Sequence, residues 1–392
     1  MPWRETSPMD QRTRFIADHL RETHTITELC DQYGVSRKTG YKWIDRYLRL
    51  GPAGLDDHSR RPHRAPNQTA DEIVAAILEA RQRHPAWGGK KLRALLQRRH
   101  PRWTLPGRST VCDILRRHGL VPTRRQRRRL GHPGKPTTIM GAPNAVWCAD
   151  YKGQFKTGDG RYCYPLTVTD GFSRYLLGCQ GLRSTAAAEA QPVFTRLFNE
   201  YGLPLRIRTD NGVPFATTTL ARLSKLSAWW VRLGILPEFI EPGRPDQNGR
   251  HERMHRTLKA ATTRPAAGSL GAQQRRFNAF REEFNHVRPH EALAQQTPAT
   301  CYHPSPRPMP DRLAPLEYPD RFEVRYVSAN GGIRWNHRWV NVSTVCVGEY
   351  VGLEEIDDGI WNVYFAPLRL GRLLERHMRI EDAYGRLCRR YV

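Results

Sequence analysis

Between residues 11 and 50 the apolar positions recur at helical spacing. Phe15, Ile16 and Leu20 form one face, and Ile26, Leu29 and Cys30 form a second. Tyr33-Gly34-Val35-Ser36 then interrupts the pattern, with a glycine able to take positive φ and a serine suited to cap a helix. In the helix that follows, Arg37, Lys38 and Lys42 are expected outward, with Ile44 and Leu48 inward. This spacing predicts a helix-turn-helix over residues 1–55 whose second helix is basic, as entry into a major groove requires. Residues 56–69 hold prolines without periodicity and read as a linker. Helical spacing returns over 70–121, in Ile73, Val74, Ile77 and Leu78, then Leu92, Leu95 and Leu96. A third helix, capped by Ser109, carries Val111, Ile114 and Leu115. That is a second helix-turn-helix. For the first unit an ordinary helical hairpin is the alternative.

From residue 144 the period changes. Strand-like runs cover 145–150, 163–169, 175–179, 205–209 and 237–240, with an amphipathic helix over 186–201. Strands first, then alternating helix and strand, predict a mixed sheet flanked by helices over 144–305. From 318 to 392 alternation resumes at Phe322, Val324 and Tyr326. Trp335 and Trp339 lie in a further strand-like run, and Asp358-Gly359 signals a hairpin before Trp361. This predicts a small β-barrel, with a basic, helical tail over 369–390 and the three tryptophans as exposed docking residues. The fold class is therefore multidomain: an all-α N-terminal region, an α/β core and a small all-β C-terminal barrel.

Charge narrows the partner. The chain has 63 Lys and Arg against 38 acidic residues, a net charge of +25. From Gly88 to Pro136 there are 15 Lys or Arg and one acidic residue, Asp113. So one-sided a block points to a polyanion, most simply nucleic acid. Within the linker at 122–143, Arg124, Arg125, Arg127 and Arg128 are suited to backbone phosphates, though a solvated tether or a nuclear-import signal has the same composition. No apolar run approaches the roughly 18 residues of a membrane span, and the N-terminus has no signal-peptide core. The eight cysteines are scattered without a CxxC pair and read as reduced packing residues, Cys148 included. There is no P-loop motif, which excludes ATP hydrolysis by that route.

Three carboxylates mark abrupt changes of local pattern. Asp150 ends Ala145-Val146-Trp147-Cys148-Ala149 and meets a polar turn. Asp210 ends Leu205–Thr209 and is followed by Asn211-Gly212. Glu252 follows a loop rich in Gly and Pro and opens a helical run. Carboxylates from three separated elements can hold two divalent cations against a phosphodiester, because magnesium prefers hard oxygen ligands. Caps and turns are the bland alternative. Asp170 competes, but Asp170-Gly171-Phe172-Ser173-Arg174 reads as a hairpin turn, and Glu241 and Asp246 lie in the loop.

The stretches Trp147–Gly153, Thr169–Tyr175, Arg208–Gly212, Pro242–Lys259 and Phe284–Leu293 together resemble the catalytic core of DDE transposases and retroviral integrases, above all the insertion-sequence transposases. The resemblance covers about half the chain, in family order. One departure is the 41 residues between Asp210 and Glu252, a longer gap than usual, assigned here to a lengthened helix over Thr217–Leu233. The resemblance implies a ribonuclease H-like core in which Asp150, Asp210 and Glu252 are catalytic and bind Mg²⁺, with Mn²⁺ a substitute. It implies an enzyme that cuts double-stranded DNA at the element's terminal inverted repeats and joins the 3′-hydroxyl ends to target DNA. Arg256 and Lys259, on the face of Glu252, match positions that hold the end DNA. It also implies a dimer or tetramer on DNA, in the bacterial cytoplasm at the nucleoid, with no membrane partner. A non-catalytic helix-turn-helix regulator and a simple metal-dependent nuclease remain as alternatives.

Overall fold

The computed structural model describes residues 8–57, 68–121, 138–241, 245–382, 385 and 387. The chain divides into two compact units, residues 1–69 and 70–392.

In the first unit, α1 (Pro8–Leu20), α2 (Ile26–Gln32) and α3 (Arg37–Leu50) enclose Phe15, Ile16, Leu29, Cys30, Trp43, Ile44 and Leu55. Thr25 and Glu28 form a capping box at the start of α2, and Ser36 accepts the Thr39 amide at the start of α3. Gly40 allows the close crossing of α3, since a Cβ there would meet Cys30 Sγ at 2.6 Å. Two expectations fail. Leu20 is 56% exposed and Leu48 is 72% exposed. Trp43 and Leu55, brought back by a 3-10 turn over Gly51–Leu55, fill the space instead.

The second unit begins with α4 (Asp71–Arg83), α5 (Gly89–Arg99) and α6 (Arg108–Arg117), packed around Ile73, Ile77, Leu92, Leu96, Ile114 and Trp87. Ser109 is not the cap expected of it: α6 starts one residue earlier, at Arg108, after Gly107.

The core sheet contains β1 (Val146–Tyr151), β2 (Phe155–Lys156), β3 (Tyr162–Asp170), β4 (Leu176–Leu182), β5 (Arg206–Thr209) and β6 (Leu236–Phe239). The order β4-β3-β1-β5-β6 is antiparallel across β4, β3 and β1 and parallel across β1, β5 and β6, with β2 on the edge of β3. Helices cover both faces. Trp147, Ala149, Leu166 and Val168 pack against α7 (Ala187–Tyr201) and α8 (Lys225–Arg232). Alternation sends Cys163, Thr167 and Thr169 to the other face, under α9 (Gly249–Thr262) and α10 (Leu270–Glu282).

The expected long helix over Thr217–Leu233 is absent. A 3-10 turn at Leu220–Arg222 and a bridge between Ala216 and Leu223 precede the short α8. The reason is a second partner. Leu220, Leu223, Ala228 and Val231 are buried with Val327, Ile333 and Val351 of the C-terminal region, and Arg232 pairs with Glu349 at 3.0 Å. The added length docks the C-terminal region onto the core.

That region is all-β. It comprises β7 (Glu323–Tyr326), a hairpin of β8 (Gly332–Trp335) with β9 (Arg338–Asn341), β10 (Tyr350–Asp357), β11 (Ile360–Phe365), β12 (Leu368–Leu374) and β13 (Arg379–Glu381). The sheet β13-β12-β11-β10-β7 is open among the described residues, where a closed barrel was expected. The expected helical tail is also corrected, because residues 368–374 and 379–381 pair as strands. Trp335 is 4% exposed, donates to Glu375 at 2.8 Å and stacks edge-on against the half-buried Trp361. Of the three tryptophans only Trp339 is exposed.

Candidate active site

The register of the sheet brings the first two carboxylates level. β1 and β5 run parallel with Val146 opposite Arg206, Trp147 opposite Ile207 and Cys148 opposite Arg208. Carried two residues further, the same register sets Asp150 beside Asp210, the residue just past β5. Asp150 is paired on its other side with Thr167 of β3. The end of β5 is tied down: Asp210 Oδ1 accepts the Gly212 amide at 3.2 Å, and Asn211 donates to the Ile240 carbonyl at 2.8 Å. Glu252 lies exposed in the first turn of α9, which starts after Asn248.

The Asp150 side chain is 19% exposed. Burial pushes its carboxyl up to about 7, and the negative charges of Asp210 and Glu252 push it the same way. Asp150 of β1 therefore feels the charges of Asp210, just past β5, and of Glu252 on α9. Asp170 does not join them. It accepts the Asn144 amide, the Ser173 amide and the Ser173 hydroxyl, each at 2.7 Å, and is a buried turn residue.

Under the carboxylates lies a network that the sequence did not predict. His251 and His255, one turn apart on α9, are both buried. Thr167 Oγ1 donates to the Asp150 carbonyl at 3.1 Å and lies 2.6 Å from Nε2 of each histidine. With its only proton used, the hydroxyl accepts from both rings. His251 Nδ1 meets Thr169 Oγ1 at 3.1 Å, and His255 Nδ1 faces Asp150 Oδ2 at 3.7 Å. Burial pushes His251 down to about 3 and His255 to about 2, so both rings are neutral. The i, i+4 spacing was a readable signal, but only the register of β3 supplies the threonines.

Asp150, His251 and His255 could also be considered as a metal set, their ligand atoms lying within 4.8 Å of one another. His251 has both nitrogens engaged by Thr167 and Thr169, so that set would first have to break these hydrogen bonds. Asp150, Asp210 and Glu252 offer only oxygen donors, the kind a hard cation prefers. Thr167→Val keeps the shape but leaves two buried N–H groups without an acceptor. We expect a loss of roughly 1–3 kcal/mol in thermal or urea unfolding; a variant as stable as wild type would show the network to be idle.

Arg256 and Lys259 are exposed on the same side of α9 as Glu252. Arg37, Lys38 and Lys42 are exposed on α3 of the first unit, and Lys42 lies 4.4 Å over the Trp43 ring. Arg124, Arg125, Arg127 and Arg128 lie outside the described residues.

Comparison with known proteins agrees with this architecture. Residues 141–245 and 233–298 each match an integrase core domain family. Residues 11–63 match a helix-turn-helix domain and residues 39–115 a homeodomain-like domain. The chain is 26% identical over 243 residues to the insertion element IS407 uncharacterized 31.7 kDa protein of Burkholderia multivorans, covering 60% of this chain and 82% of that one. It is 25% identical over 249 residues to the insertion element IS476 uncharacterized 39.2 kDa protein of Xanthomonas euvesicatoria, covering 63% and 69%. Among solved structures, the HTLV-2 integrase catalytic core domain in complex with magnesium aligns at 18% identity and a TM-score of 0.34, over 42% of this chain and 99% of that one. The fold and its helix-turn-helix units define a DNA-binding polynucleotidyl transferase. The stretch 141–298 matches integrase core domain families, and the chain is similar to these insertion-element proteins.

Proposed function

We propose that this chain binds the terminal inverted repeats of its own insertion sequence, cleaves them and joins the freed 3′-hydroxyl ends to target DNA. Asp150, Asp210 and Glu252 would hold two Mg²⁺ ions, with Mn²⁺ able to replace them. The observation that carries this reading is the shared register of β1 and β5, with the charge of Glu252 converging on Asp150. When bound, the ions would activate the attacking oxygen and stabilise the leaving one in an in-line displacement. The chain's own residues divide the remaining work. Thr167, His251 and His255 hold the Asp150 backbone and the underside of α9. Arg256 and Lys259, one and two turns beyond Glu252, would take phosphates of the end DNA. Arg37, Lys38 and Lys42 would read or anchor a major groove, while Arg124, Arg125, Arg127 and Arg128 track phosphates. The domain division proposed is that of the sequence: two DNA-binding units, the core and the C-terminal β region. Because an element has two ends, the working form would be a dimer or tetramer on DNA.

The test supplies a duplex carrying the inverted repeats that bracket the gene. With Mg²⁺ we expect nicked and joined products, and with a chelator neither, while binding persists. Cutting without joining would favour the simple nuclease. Binding with neither product in any divalent metal would favour the regulator.

A further inference from the structure

The motif Phe284–Leu293 stands out in the sequence but takes no part in the chemistry proposed for the three carboxylates. Its first part is structural. Asn285 accepts the Leu176 amide at 2.8 Å and donates to the Leu176 carbonyl at 3.0 Å, clamping the end of α10 to β4. Its second part meets the second helix-turn-helix. Arg98 donates to the Val287 carbonyl at 2.8 Å and Lys90 pairs with Glu291, while just before the motif Glu283 lies 3.2 Å from His84. The Arg288 guanidinium lies 5.9 Å over the Trp87 ring. These ties fix α5 to the core of the same chain.

Cations gather at this junction. Lys91 of α5 feels the charges of Arg288, Glu291 and Arg253, and Arg253 is the neighbour of Glu252 on α9. Arg174 and Arg250 share one acceptor, the Gly171 carbonyl, at 2.8 and 3.3 Å. His290 faces Lys91, Arg288 and Arg174, and its buried Nε2 has no hydrogen-bond partner among the described residues. Two anions offset them in part: Glu283, met by His84, also acts on Arg288, and Glu291, paired with Lys90, also acts on Lys91. Burial and the neighbouring cations push Lys91 down to about 8 and Arg174 to about 10. Like charges half-buried together destabilise the free protein, and an anion bound among them would relieve that cost. A groove lined by Lys90, Arg93, Arg98 and Arg108 continues the basic surface along α5 and α6.

We propose that Lys91, Arg174, Arg253 and Arg288, with His290, form a phosphate site that holds one backbone phosphate of the DNA strand entering the active site of the same chain. The proposal rests on the reading of this chain as an enzyme acting on DNA ends. The second half of the Phe284–Leu293 motif is then the joint through which the second helix-turn-helix delivers DNA to Glu252 in cis.

Full-length Lys91→Gln, Arg288→Gln and Lys91→Arg are compared with wild type by fluorescence anisotropy, without divalent metal. The probes are the inverted-repeat duplex and a duplex of mixed sequence, titrated across salt. Each Gln variant should bind several-fold more weakly and lose about 0.9 from the log–log salt slope. Lys91→Arg should keep the slope. The unfolding midpoint of metal-free, DNA-free Lys91→Gln should equal or exceed that of wild type, because a crowded charge is gone. A merely structural lysine predicts the opposite, a lower midpoint with an unchanged slope, and that result overturns the proposal. So does wild-type affinity and slope in both Gln variants. Stabilisation of wild type by inorganic phosphate, with DNA binding unaffected by either substitution, would assign the site to free phosphate and equally overturn it. Cutting is scored separately. A wild type that never cuts, with slopes that still fall in the variants, sinks the enzymatic reading and leaves the phosphate site standing.

Discussion

Asp150→Asn, Asp210→Asn and Glu252→Gln should each abolish strand cleavage and joining while leaving binding to the inverted-repeat duplex nearly intact. Each change removes one negative charge and keeps the size of the side chain. If the three carboxylates share the cations, no pair suffices. The loss should then exceed the roughly 10–100-fold that follows from removing a mere outer-shell partner. Binding should persist because recognition is assigned to other elements, and a less acidic site repels DNA less. Mobility-shift and cleavage assays on the same preparations read both effects. Normal joining by any one variant removes that residue from the site. Activity retained in Glu252→Gln but lost in His255→Ala would move the cation to the Asp150, His251 and His255 set.

The second large effect concerns stability without metal. The Asp150 carboxyl is pushed from its ordinary 3.8 up to about 7, first by burial and then by Asp210. The folded protein thus takes up this proton more readily than the unfolded chain. The stability it contributes is present in full below about pH 4 and is lost as pH rises through about 7. A shift of roughly three pH units corresponds to about 4 kcal/mol as an upper bound. Asp150→Asn carries no charge to desolvate. We therefore expect the metal-free variant to be more stable than wild type at pH 8, by up to about 4 kcal/mol, and the gap to shrink towards pH 4. Mg²⁺ at about 100 times Kd should narrow that gap by about 2.7 kcal/mol, because it stabilises wild type and leaves the variant unmoved. Urea unfolding at two pH values, with and without Mg²⁺, measures all four states. Equal stability of the two metal-free proteins at pH 8 would show that Asp150 bears no such strain.

Local features were legible in the residues themselves. The three helices of each helix-turn-helix follow from apolar spacing, and Ser36 is recognisable as a cap because an N-cap acts on amides within one turn. Asp150 and Asp210 stood out because each ends an apolar strand at a polar turn, a signal contained in a few neighbouring residues. What failed depended on distant partners. Leu20 and Leu48 fit the helical period, but Trp43 and the returning Leu55 occupy the core they would have joined. The apolar residues of Thr217–Leu233 suggested one long helix because their actual partners, Val327, Ile333 and Val351, lie about a hundred residues away. Barrel closure depends on which edge strands pair, and no local pattern encodes that. The histidine network is the mixed case. The spacing of His251 and His255 belongs to the sequence, whereas their meeting with Thr167 beneath Asp150 belongs to the sheet. Hydrophobic period and capping act within a turn or two of chain, so sequence determined the elements and where their carboxylates fall. Strand register and helix docking act across the whole chain, so only the tertiary structure decided which side chains share a site.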